Sequence, residues 1–357
     1  MAEGWADHTG GRHHGAHGSL VSRALTLPEH TLDFSQNVNP LGPPDGVLEA
    51  ACRAVNQETR GYPALDYPEL REALAQYLEV DSETVLPTNG GAEALFLAAR
   101  VASENRGREA LVLEPTFSEY ATAARTSGLE PVRRISRRPG DGFAFDFGVL
   151  DGLDDVAVVF LCNPNNPTGN ALSRDEVMGI ASRVREAGAA LVVDEAFADF
   201  TPAVSVAQEV NDWLYVARSL TKFFAIPGLR LGCLISAHAV RAQSFQPSWS
   251  VNAPATAAGV AAVRDLAFAD RSLSVMKHLR RTLYRSLNTL PGIEAYPGAA
   301  NFLLARGPEG LARRLAGRGI LVRGCEPFRG LGPGFFRVAV RGEEENGLLI
   351  SALREEL

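Results

Sequence analysis

The chain has 357 residues, of which 46% are hydrophobic and 22% are charged, and its formal net charge is -7 at pH 7. This length and composition allow a full hydrophobic core and predict one large and one small domain. The negative charge argues against nucleic acid as the main partner. An anionic ligand would have to be bound by local arginines, not by the overall field.

The cysteines and the apolar segments indicate the redox state and cellular location expected for the chain. The four cysteines, at positions 52, 162, 233 and 325, form no CxxC pair, which predicts reduced thiols, no metal site and a cytoplasmic location. No apolar run reaches the ~18 residues of a membrane span. The first seven residues lack the basic and apolar parts of a signal peptide. The sequence therefore predicts no membrane partner.

The first predicted elements form an N-terminal arm and a helix. Residues 1–44 make up the arm, and we expect its first ~18 residues to be flexible. An amphipathic helix follows, with its apolar face at Val47, Leu48, Ala51 and Val55. Pro68 then marks the first turn of a second helix.

Residues 45–245 are predicted to form a large α/β domain. Apolar strands alternate with helical stretches from Val85 to about Ile235, as a mostly parallel sheet requires. The basic stretch over residues 133–138 is interpreted as a solvated loop.

Residues 246–357 are predicted to form a small domain that packs with the N-terminal arm. A long helix is expected over residues 264–290, ended by Pro291 and Gly292. Three strand-like segments should then build one small sheet with helices on one face: residues 301–304, 320–322 and 336–340.

Two polar motifs follow apolar runs that are typical of strands buried on both faces. Residues 156–161 precede an Asn-Pro-Asn-Asn-Pro-Thr-Gly turn that contains Asn166, and residues 189–193 precede Asp194. Both motifs lie at strand carboxyl ends, where open α/β sheets bind ligands. A buried Asp194 needs a partner, and a protonated pyridine nitrogen is one. Asn166 can donate to an oxygen on the same ring, although a plain turn is the alternative for this motif.

The third motif surrounds Lys222. Ser219 lies three residues before it and Arg230 eight residues after it, in an apolar frame that contains Phe223, Phe224 and glycine. A lysine attacks an aldehyde only when desolvation and cationic neighbours lower its pKa. This layout is typical of a lysine that binds an aldehyde cofactor, with Ser219 and Arg230 as phosphate ligands; an ordinary loop lysine is the alternative.

Together these motifs resemble the fold type I pyridoxal-phosphate enzymes, and within them the branch that contains histidinol-phosphate aminotransferase and threonine-phosphate decarboxylase. The resemblance covers roughly residues 30–345. It implies an α/β fold type I transferase, with a mostly parallel central sheet in a large domain and a small α/β C-terminal domain. It also implies pyridoxal 5'-phosphate as the cofactor.

The resemblance assigns the cofactor ligands one by one. Lys222 would bond to the cofactor aldehyde, Asp194 would pair with the pyridine nitrogen, and Asn166 would bind the phenolic oxygen. The phosphate would be bound by Ser219 and Arg230.

Three further positions match cofactor contacts of the family. Gly91 and Ala92, at the start of a predicted helix, would add backbone N–H groups to the phosphate site. Phe117 would stack on the ring, unless it is a core aromatic. Phe197 departs from the tyrosine common in this branch, which leaves Asn166 as the remaining donor to the phenolic oxygen.

Tyr62 resembles the tyrosine that, in this family, crosses a dimer interface to the neighbouring cofactor phosphate. The resemblance therefore implies a homodimer in which Tyr62 completes the partner's site. A tyrosine in a surface turn is the alternative.

The substrate ligands are assigned in the same way. Arg337 lies in a strand-like alternation and resembles the clamp for the substrate α-carboxylate, and Arg323 would bind a second anionic group or assist Arg337. Structural ion pairs are the alternative for both. Asn37 and His14 would contact the substrate. His14 belongs to a histidine- and glycine-rich arm in which His17 could fill the same role, and a flexible segment with incidental metal affinity is the alternative to both.

Four short sequence segments indicate which reaction of this branch the chain catalyses. Residues 33–44, 223–228, 249–253 and 323–331 are similar to the threonine-phosphate decarboxylases of cobalamin synthesis. They imply decarboxylation of threonine phosphate to 1-amino-2-propanol phosphate. One alternative is an aminotransferase acting on histidinol phosphate or on another phosphorylated or aromatic amino acid. Another is a regulatory protein that binds the cofactor without catalysis.

Overall fold

The computed structural model describes residues 31–58, 60–105 and 107–357. The strands are β1 Leu32–Asp33, β2 Val85–Thr88, β3 Glu109–Glu114, β4 Glu130–Ile135, β5 Val156–Cys162, β6 Ala190–Asp194, β7 Leu214–Ser219, β8 Gly232–Ile235, β9 Glu294–Ala295, β10 Phe302–Arg306, β11 Ile320–Leu321, β12 Arg323–Gly324 and β13 Phe335–Ala339. The helices are α1 Val47–Glu58, α2 Pro68–Leu78, α3 Gly90–Ala102, α4 Glu119–Thr126, α5 Arg174–Glu186, α6 Leu220–Phe223, α7 Ala239–Gln243, α8 Ala253–Arg264, α9 Leu266–Leu287, α10 Leu311–Gly317 and α11 Glu343–Glu356.

The central sheet has seven strands in the order β2-β8-β7-β6-β5-β3-β4. β8 runs antiparallel to both of its neighbours, and all other pairs are parallel. The predicted mostly parallel sheet is therefore confirmed. The carboxyl ends of β5, β6 and β7 meet at one edge, where Cys162 is in register with Asp194 and Asp194 with Ala217.

Both faces of this sheet are covered. On β5, Val159 and Leu161 belong to the core shared with the C-terminal half of the chain, whereas Phe160 and Cys162 belong to the core beneath α3, α4 and α7. This alternation explains why β5 is a continuous apolar run: a strand buried on two faces has no solvent side.

A second sheet has four antiparallel strands in the order β12-β13-β10-β9. Residues 320–322, a predicted strand of this sheet, are not part of it. Ile320 and Leu321 pair in parallel with Leu32 and Asp33 in a separate two-stranded sheet. That part of the prediction was wrong because periodicity identifies a strand but not its distant partner.

The helix expected over residues 264–290 is confirmed as α9, Leu266–Leu287. α8 ends at Arg264 and α9 begins at Leu266, and the Asp265 carboxylate between them accepts a hydrogen bond from the backbone nitrogen of Phe268 at 2.9 Å. An aspartate in this capping position starts a new helix even within an apolar periodic segment.

The buried face of α1 agrees with the prediction in part, because Val47 and Ala51 are buried but Leu48 and Val55 are not. Leu48 is 58% exposed and Val55 is 49% exposed. α1 packs against α8, and its buried residues are Val47 and the three small residues Ala50, Ala51 and Ala54. Small residues let two helices approach closely, so the larger Leu48 and Val55 remain outside this contact.

The basic stretch is not a solvated loop. Residues up to Ile135 form β4, Arg133 pairs with the buried Glu114 at 2.5 Å, and Arg137 is 1% exposed. The Arg137 guanidinium lies over the Phe145 ring, 4.9 Å from its centroid, a contact that a count of charges does not reveal. Within the described ranges, no helix has the length and apolarity needed to cross a membrane.

Candidate active site

Three predicted side chains meet at the carboxyl edge of the central sheet. Asp194 ends β6, Asn166 lies in the turn after β5, and Lys222 lies in α6, directly after β7. The Asn166 turn is tied to β6 because the backbone nitrogen of Asn163 donates to the Asp194 carbonyl at 2.9 Å. Because neighbouring parallel strands end together, these residues converge although they are far apart in sequence.

Asp194 is a buried carboxylate with two donors. The hydroxyl of Tyr120 donates to its Oδ2 at 2.7 Å, and the backbone nitrogen of Ala196 donates to its Oδ1 at 2.9 Å. Burial raises the pKa of Asp194, and these hydrogen bonds and the positive charge of Lys222 oppose the rise. A cation placed beside this carboxylate would be strongly favoured in such a dry site.

Tyr120 is a site residue that the sequence reasoning missed. It lies in the first turn of α4, and its ring stacks on Phe160 of β5 with centroids 5.3 Å apart. Its burial could be inferred from the helical pattern. Its partner could not, because the contact with Asp194 joins a helix and a strand 74 residues apart.

Lys222 has an environment that favours the neutral amine. Burial lowers its pKa to about 8, and the positive charges of Arg230 and Arg337 add to this effect, while Asp194 opposes it. Its Nζ donates to the Thr221 hydroxyl at 3.3 Å. A much larger fraction of this lysine is therefore unprotonated at neutral pH than for an ordinary lysine.

The backbone of Lys222 is also fixed. Its carbonyl oxygen accepts a hydrogen bond from the backbone nitrogen of Asn39 at 3.0 Å. The Asn39 amide nitrogen donates to the Phe223 carbonyl at 2.9 Å. The N-terminal segment thus bonds directly to α6.

The start of α3 forms a cradle with β7. A Cβ atom added to Gly91 would lie 3.1 Å from the Ser219 Cβ and 3.3 Å from the Arg218 carbonyl oxygen. One added to Gly90, whose φ is +78°, would lie 2.6 Å from an Arg230 nitrogen. A side chain at either position would require its neighbours to shift, and the positive φ of Gly90 also favours glycine.

This cradle carries the groups that an anion requires. The first-turn N–H groups of α3, including those of Gly91 and Ala92, have no partner within the helix. The Ser219 hydroxyl lies 2.8 Å from the Thr221 hydroxyl, and the Arg230 guanidinium lies against Gly90. Hydroxyls, a cation and backbone donors at a helix N-terminus fit a phosphate group.

The two aromatic positions singled out in the sequence, Phe117 and Phe197, each pack against another aromatic ring. Phe117 is half-buried and contacts Tyr120 edge to face, with ring centroids 5.9 Å apart. Phe197 packs edge to face on Phe302 at 4.9 Å. Phe197 has no hydroxyl, so it supplies packing where a tyrosine would supply a donor.

Arg337 lies on β13 and is 5% exposed. Its Nη1 donates to the Asn166 side-chain oxygen at 2.5 Å, and its Nη2 donates to the Ser35 carbonyl at 2.8 Å. Among the described residues, its Nε has no partner and its guanidinium forms no ion pair with a carboxylate. Burial lowers the pKa of Arg337 to about 10. A buried guanidinium that has an unpartnered N–H group and no carboxylate beside it favours binding of an anion.

Arg323 lies directly opposite Arg337 in the β12–β13 pair. It is buried, its guanidinium lies over the Phe328 ring at 5.8 Å, and burial lowers its pKa. Like charges in directly opposed positions of a sheet destabilise it. Two such arginines therefore favour a ligand with more than one negative group.

The remaining predicted residues differ in their placement. Asn37 is buried, and its side-chain oxygen has no partner within the described part of the chain. Tyr62 is 82% exposed and stacks on Trp249. His14 lies outside the described residues.

A buried ion-pair network is centred on Arg218, the residue that precedes Ser219. Arg218 bonds to Glu195 at 2.8 Å and to Asp199, and the Tyr77 hydroxyl donates to Asp199 at 2.9 Å. All three charged groups are buried. This network joins β7 to the segment after β6, and so fixes the strand ends that carry the site.

The described ranges contain no group of three or more metal-ligating side chains. All four cysteines are free thiols, and Cys52 is the exposed one.

Comparison with known proteins agrees with this geometry. The aminotransferase class I and II family matches residues 29–353. The chain is 39% identical over 356 residues to threonine-phosphate decarboxylase of Salmonella typhimurium, which covers 96% of each chain. It is 32% identical to histidinol-phosphate aminotransferase 2 of Archaeoglobus fulgidus, which covers 92% of this chain and 93% of the relative.

Solved structures share the fold. The histidinol-phosphate aminotransferase of Clostridium acetobutylicum superimposes with a TM-score of 0.84 at 28% identity, covering 91% of this chain and 98% of the other. The chain belongs to the class I and II aminotransferase family. It is a pyridoxal-phosphate-dependent enzyme with the fold type I architecture, as the motifs predicted.

Proposed function

We propose that this enzyme decarboxylates L-threonine O-3-phosphate to 1-amino-2-propanol phosphate, a step of cobalamin biosynthesis in the cytoplasm. The observation that carries the proposal is the 39% identity to a threonine-phosphate decarboxylase along nearly the whole chain, against 32% for the aminotransferase relative. The opposed arginines 323 and 337 support it, because threonine phosphate carries both a carboxylate and a phosphate.

The residues at the sheet edge fit pyridoxal phosphate. Lys222 has the lowered pKa that bonding to an aldehyde requires, and the buried Asp194 calls for a cationic partner such as a pyridinium nitrogen. The cradle of Gly91, Ser219 and Arg230 fits the phosphate. When bound, the cofactor withdraws electrons from a bond broken at the substrate Cα.

Asn166 and Phe117 would complete the cofactor site. Arg337 holds the Asn166 oxygen, so the amide N–H groups of Asn166 remain for the phenolic oxygen of the cofactor. Phe117 would cover the ring face, and Ala92 would add a backbone N–H to the phosphate site.

Arg337 orients the substrate by binding its carboxylate through the free face of the guanidinium. By fixing the carboxylate, this arginine would select which bond at the substrate Cα breaks. Arg323, with Asn37 and His14, would bind the substrate phosphate. The leaving carbon departs as CO2 when that bond breaks.

Lys222 then delivers the proton that replaces the carboxylate at Cα. Its pKa of about 8 allows it to hold a proton and to release it near neutral pH. Asp194 stabilises positive charge on its partner throughout, and Tyr120 keeps Asp194 oriented and anionic.

We also propose that the active form is a homodimer in which Tyr62 reaches the neighbouring cofactor phosphate. The supporting observation is the exposure of Tyr62, Leu48, Leu65 and Trp249. A second copy of the chain would cover these apolar side chains.

The alternative activity is amino transfer from histidinol phosphate or a related amino acid, which the structural similarity to the Clostridium acetobutylicum enzyme favours. Lys222 would then act as the base that takes the proton from Cα, and CO2 would not form. A cofactor-binding regulatory protein is the remaining alternative, and the complete set of Lys222, Asp194, Asn166 and Arg337 argues against it.

The test is an assay of the cofactor-loaded protein with threonine phosphate, which follows CO2 and 1-amino-2-propanol phosphate. A parallel reaction supplies histidinol phosphate with a keto acid. Release of CO2 with the amino-alcohol product supports the proposal. Amino transfer without CO2 would establish the alternative activity, and absence of both reactions would indicate the regulatory role.

A further inference from the structure

The exposed Tyr62 has a fixed position in the single chain. Its ring stacks on Trp249 with centroids 4.4 Å apart and an interplanar angle of 29°. The Trp249 indole nitrogen also donates to the carbonyl of Pro63, the next residue, at 3.1 Å. One tryptophan therefore holds both the side chain and the backbone of the Tyr62 segment.

Trp249 is itself held in an unusual conformation. Its φ is 58°, a region that residues other than glycine rarely adopt. The residues that follow it are anchored. The backbone nitrogen of Val251 donates to the Tyr67 hydroxyl at 3.1 Å, and the Ser250 hydroxyl donates to Glu93 at 2.5 Å. A strained backbone persists only where its surroundings hold it in place.

The same anchors lead to the phosphate cradle. Glu93 lies in the first turn of α3, and its carboxylate accepts the backbone N–H of Asn89 at 2.6 Å. The Asn89 side chain donates to the Ser250 carbonyl at 3.0 Å, and the Gln246 amide donates to Glu93 at 3.0 Å. The segment from Gln246 to Val251 thus joins the Tyr62 loop to the helix start that forms the subunit's own phosphate site.

We propose that Trp249 is a positioning residue that holds Tyr62 in the conformation in which it binds the cofactor phosphate of the partner subunit. This inference rests on the proposed dimer and deepens it. A tyrosine on an unrestrained surface loop would lose conformational freedom on reaching the partner, which weakens binding. Stacking and the indole hydrogen bond remove that freedom beforehand. Trp249 contributes by this route without touching the cofactor.

The experiment measures the affinity of the full-length apo-enzyme for pyridoxal phosphate and, separately, for pyridoxal without its phosphate. We expect Trp249→Ala to weaken pyridoxal phosphate binding about tenfold, as does loss of one hydrogen bond to a charged group. Pyridoxal binding should change less than about twofold. Trp249→Phe keeps the stacking and should recover part of the loss.

A double-mutant cycle with Tyr62→Phe tests whether Trp249 acts on cofactor binding through Tyr62. If Trp249 acts through the Tyr62 hydroxyl, Trp249→Ala should have little further effect on phosphate-dependent affinity in the Tyr62→Phe background. Additive losses would overturn the proposal. Equal losses for pyridoxal and pyridoxal phosphate would also overturn it, because they would indicate a general structural role.

Two controls distinguish a local effect of Trp249 from a loss of packing or of assembly. Trp213→Ala removes a half-buried tryptophan outside this segment. It should leave the ratio of the affinities for pyridoxal phosphate and pyridoxal unchanged. Sedimentation should show that Trp249→Ala is dimeric where the parent is; dissociation would overturn the proposal. If Tyr62→Phe alone has no effect, the crossing role of Tyr62 fails. The reaction catalysed is judged independently by the CO2 assay.

Discussion

Arg337 donates to the side-chain oxygen of Asn166, although 171 residues separate them in sequence. A guanidinium can only donate, so this contact fixes which end of the Asn166 amide faces it. The amide N–H groups of Asn166 are left for another acceptor. The residue proposed to bind the substrate carboxylate therefore also sets the orientation of the residue proposed to bind the cofactor oxygen.

Arg337→Lys should lower kcat/KM by about 10- to 100-fold, because hydrogen bonds to a charged group are lost and an ammonium cannot form the planar contact. Steady-state kinetics with threonine phosphate measure this. Arg341→Lys is the matched control, since Arg341 pairs with Glu345 four residues along the chain and should change activity little. Equal effects of the two changes would contradict the assigned role.

The chain has two lysines, Lys222 and Lys277, so the site of cofactor attachment can be mapped directly. After borohydride reduction of the cofactor-loaded protein, peptide mass spectrometry should find the cofactor on Lys222. Lys277 is exposed on α9 and should remain unmodified. Lys222→Ala should abolish both attachment and turnover, whereas Lys277→Ala should keep both. Turnover by Lys222→Ala would exclude the assignment.

Attachment of pyridoxal to the apo-enzyme should follow the titration of Lys222. Only the neutral amine attacks, so the rate should rise with pH and level off above about 8, not near 10.5. Arg230→Gln removes a positive neighbour, which favours the protonated amine and should move the midpoint to higher pH. Pyridoxal is used because it carries no phosphate for Arg230 to bind. An unchanged midpoint would contradict the electrostatic effect of Arg230.

Gly91→Ala should weaken pyridoxal phosphate binding by about tenfold, because the added methyl group forces Ser219 or the β7 backbone to shift. Gly179→Ala is the control. It also lies within a helix, but nothing is within 4 Å of the added Cβ. That change should leave affinity intact and stabilise the protein by about 0.5–1 kcal/mol. Fluorescence titration and urea unfolding measure the two effects.

Tyr120→Phe removes a donor from the buried carboxylate of Asp194. The free energy of unfolding should fall by about 1–3 kcal/mol. The hydrogen bond from Tyr120 lowers the pKa of Asp194, so its loss should raise that pKa further. Activity should consequently decline at a higher pH on the acid side of the profile. Tyr215→Phe, on β7 and also buried, is the control and should not move that limb.

The convergence of Asn166, Asp194 and Lys222 was predictable from sequence. Each follows a strand, and parallel strands end at one edge, so local patterns were sufficient. The bond from Tyr120 to Asp194 was not predictable in this way, because it depends on how α4 packs across β5. Arg137 shows the same limit in the opposite direction: its neighbours in sequence are charged, yet its position beyond the end of β4 is buried.

Long-range pairing was equally inaccessible. The apolar residues 320–322 predicted a strand, but nothing in them indicated that Leu32 and Asp33 would be its partners. The start of α9 was more accessible, since Asp265 precedes a helical stretch and an aspartate in that position is a strong capping signal.

The segment from Ser35 to Asn39 has a consequence for the dimensions of the site. At one end its carbonyl binds the Arg337 guanidinium, and at the other its N–H binds the Lys222 carbonyl. Five consecutive residues therefore link the backbone of the reactive lysine to the anion-binding arginine. A stretch near the beginning of the described chain acts as a spacer between groups contributed by its middle and its end.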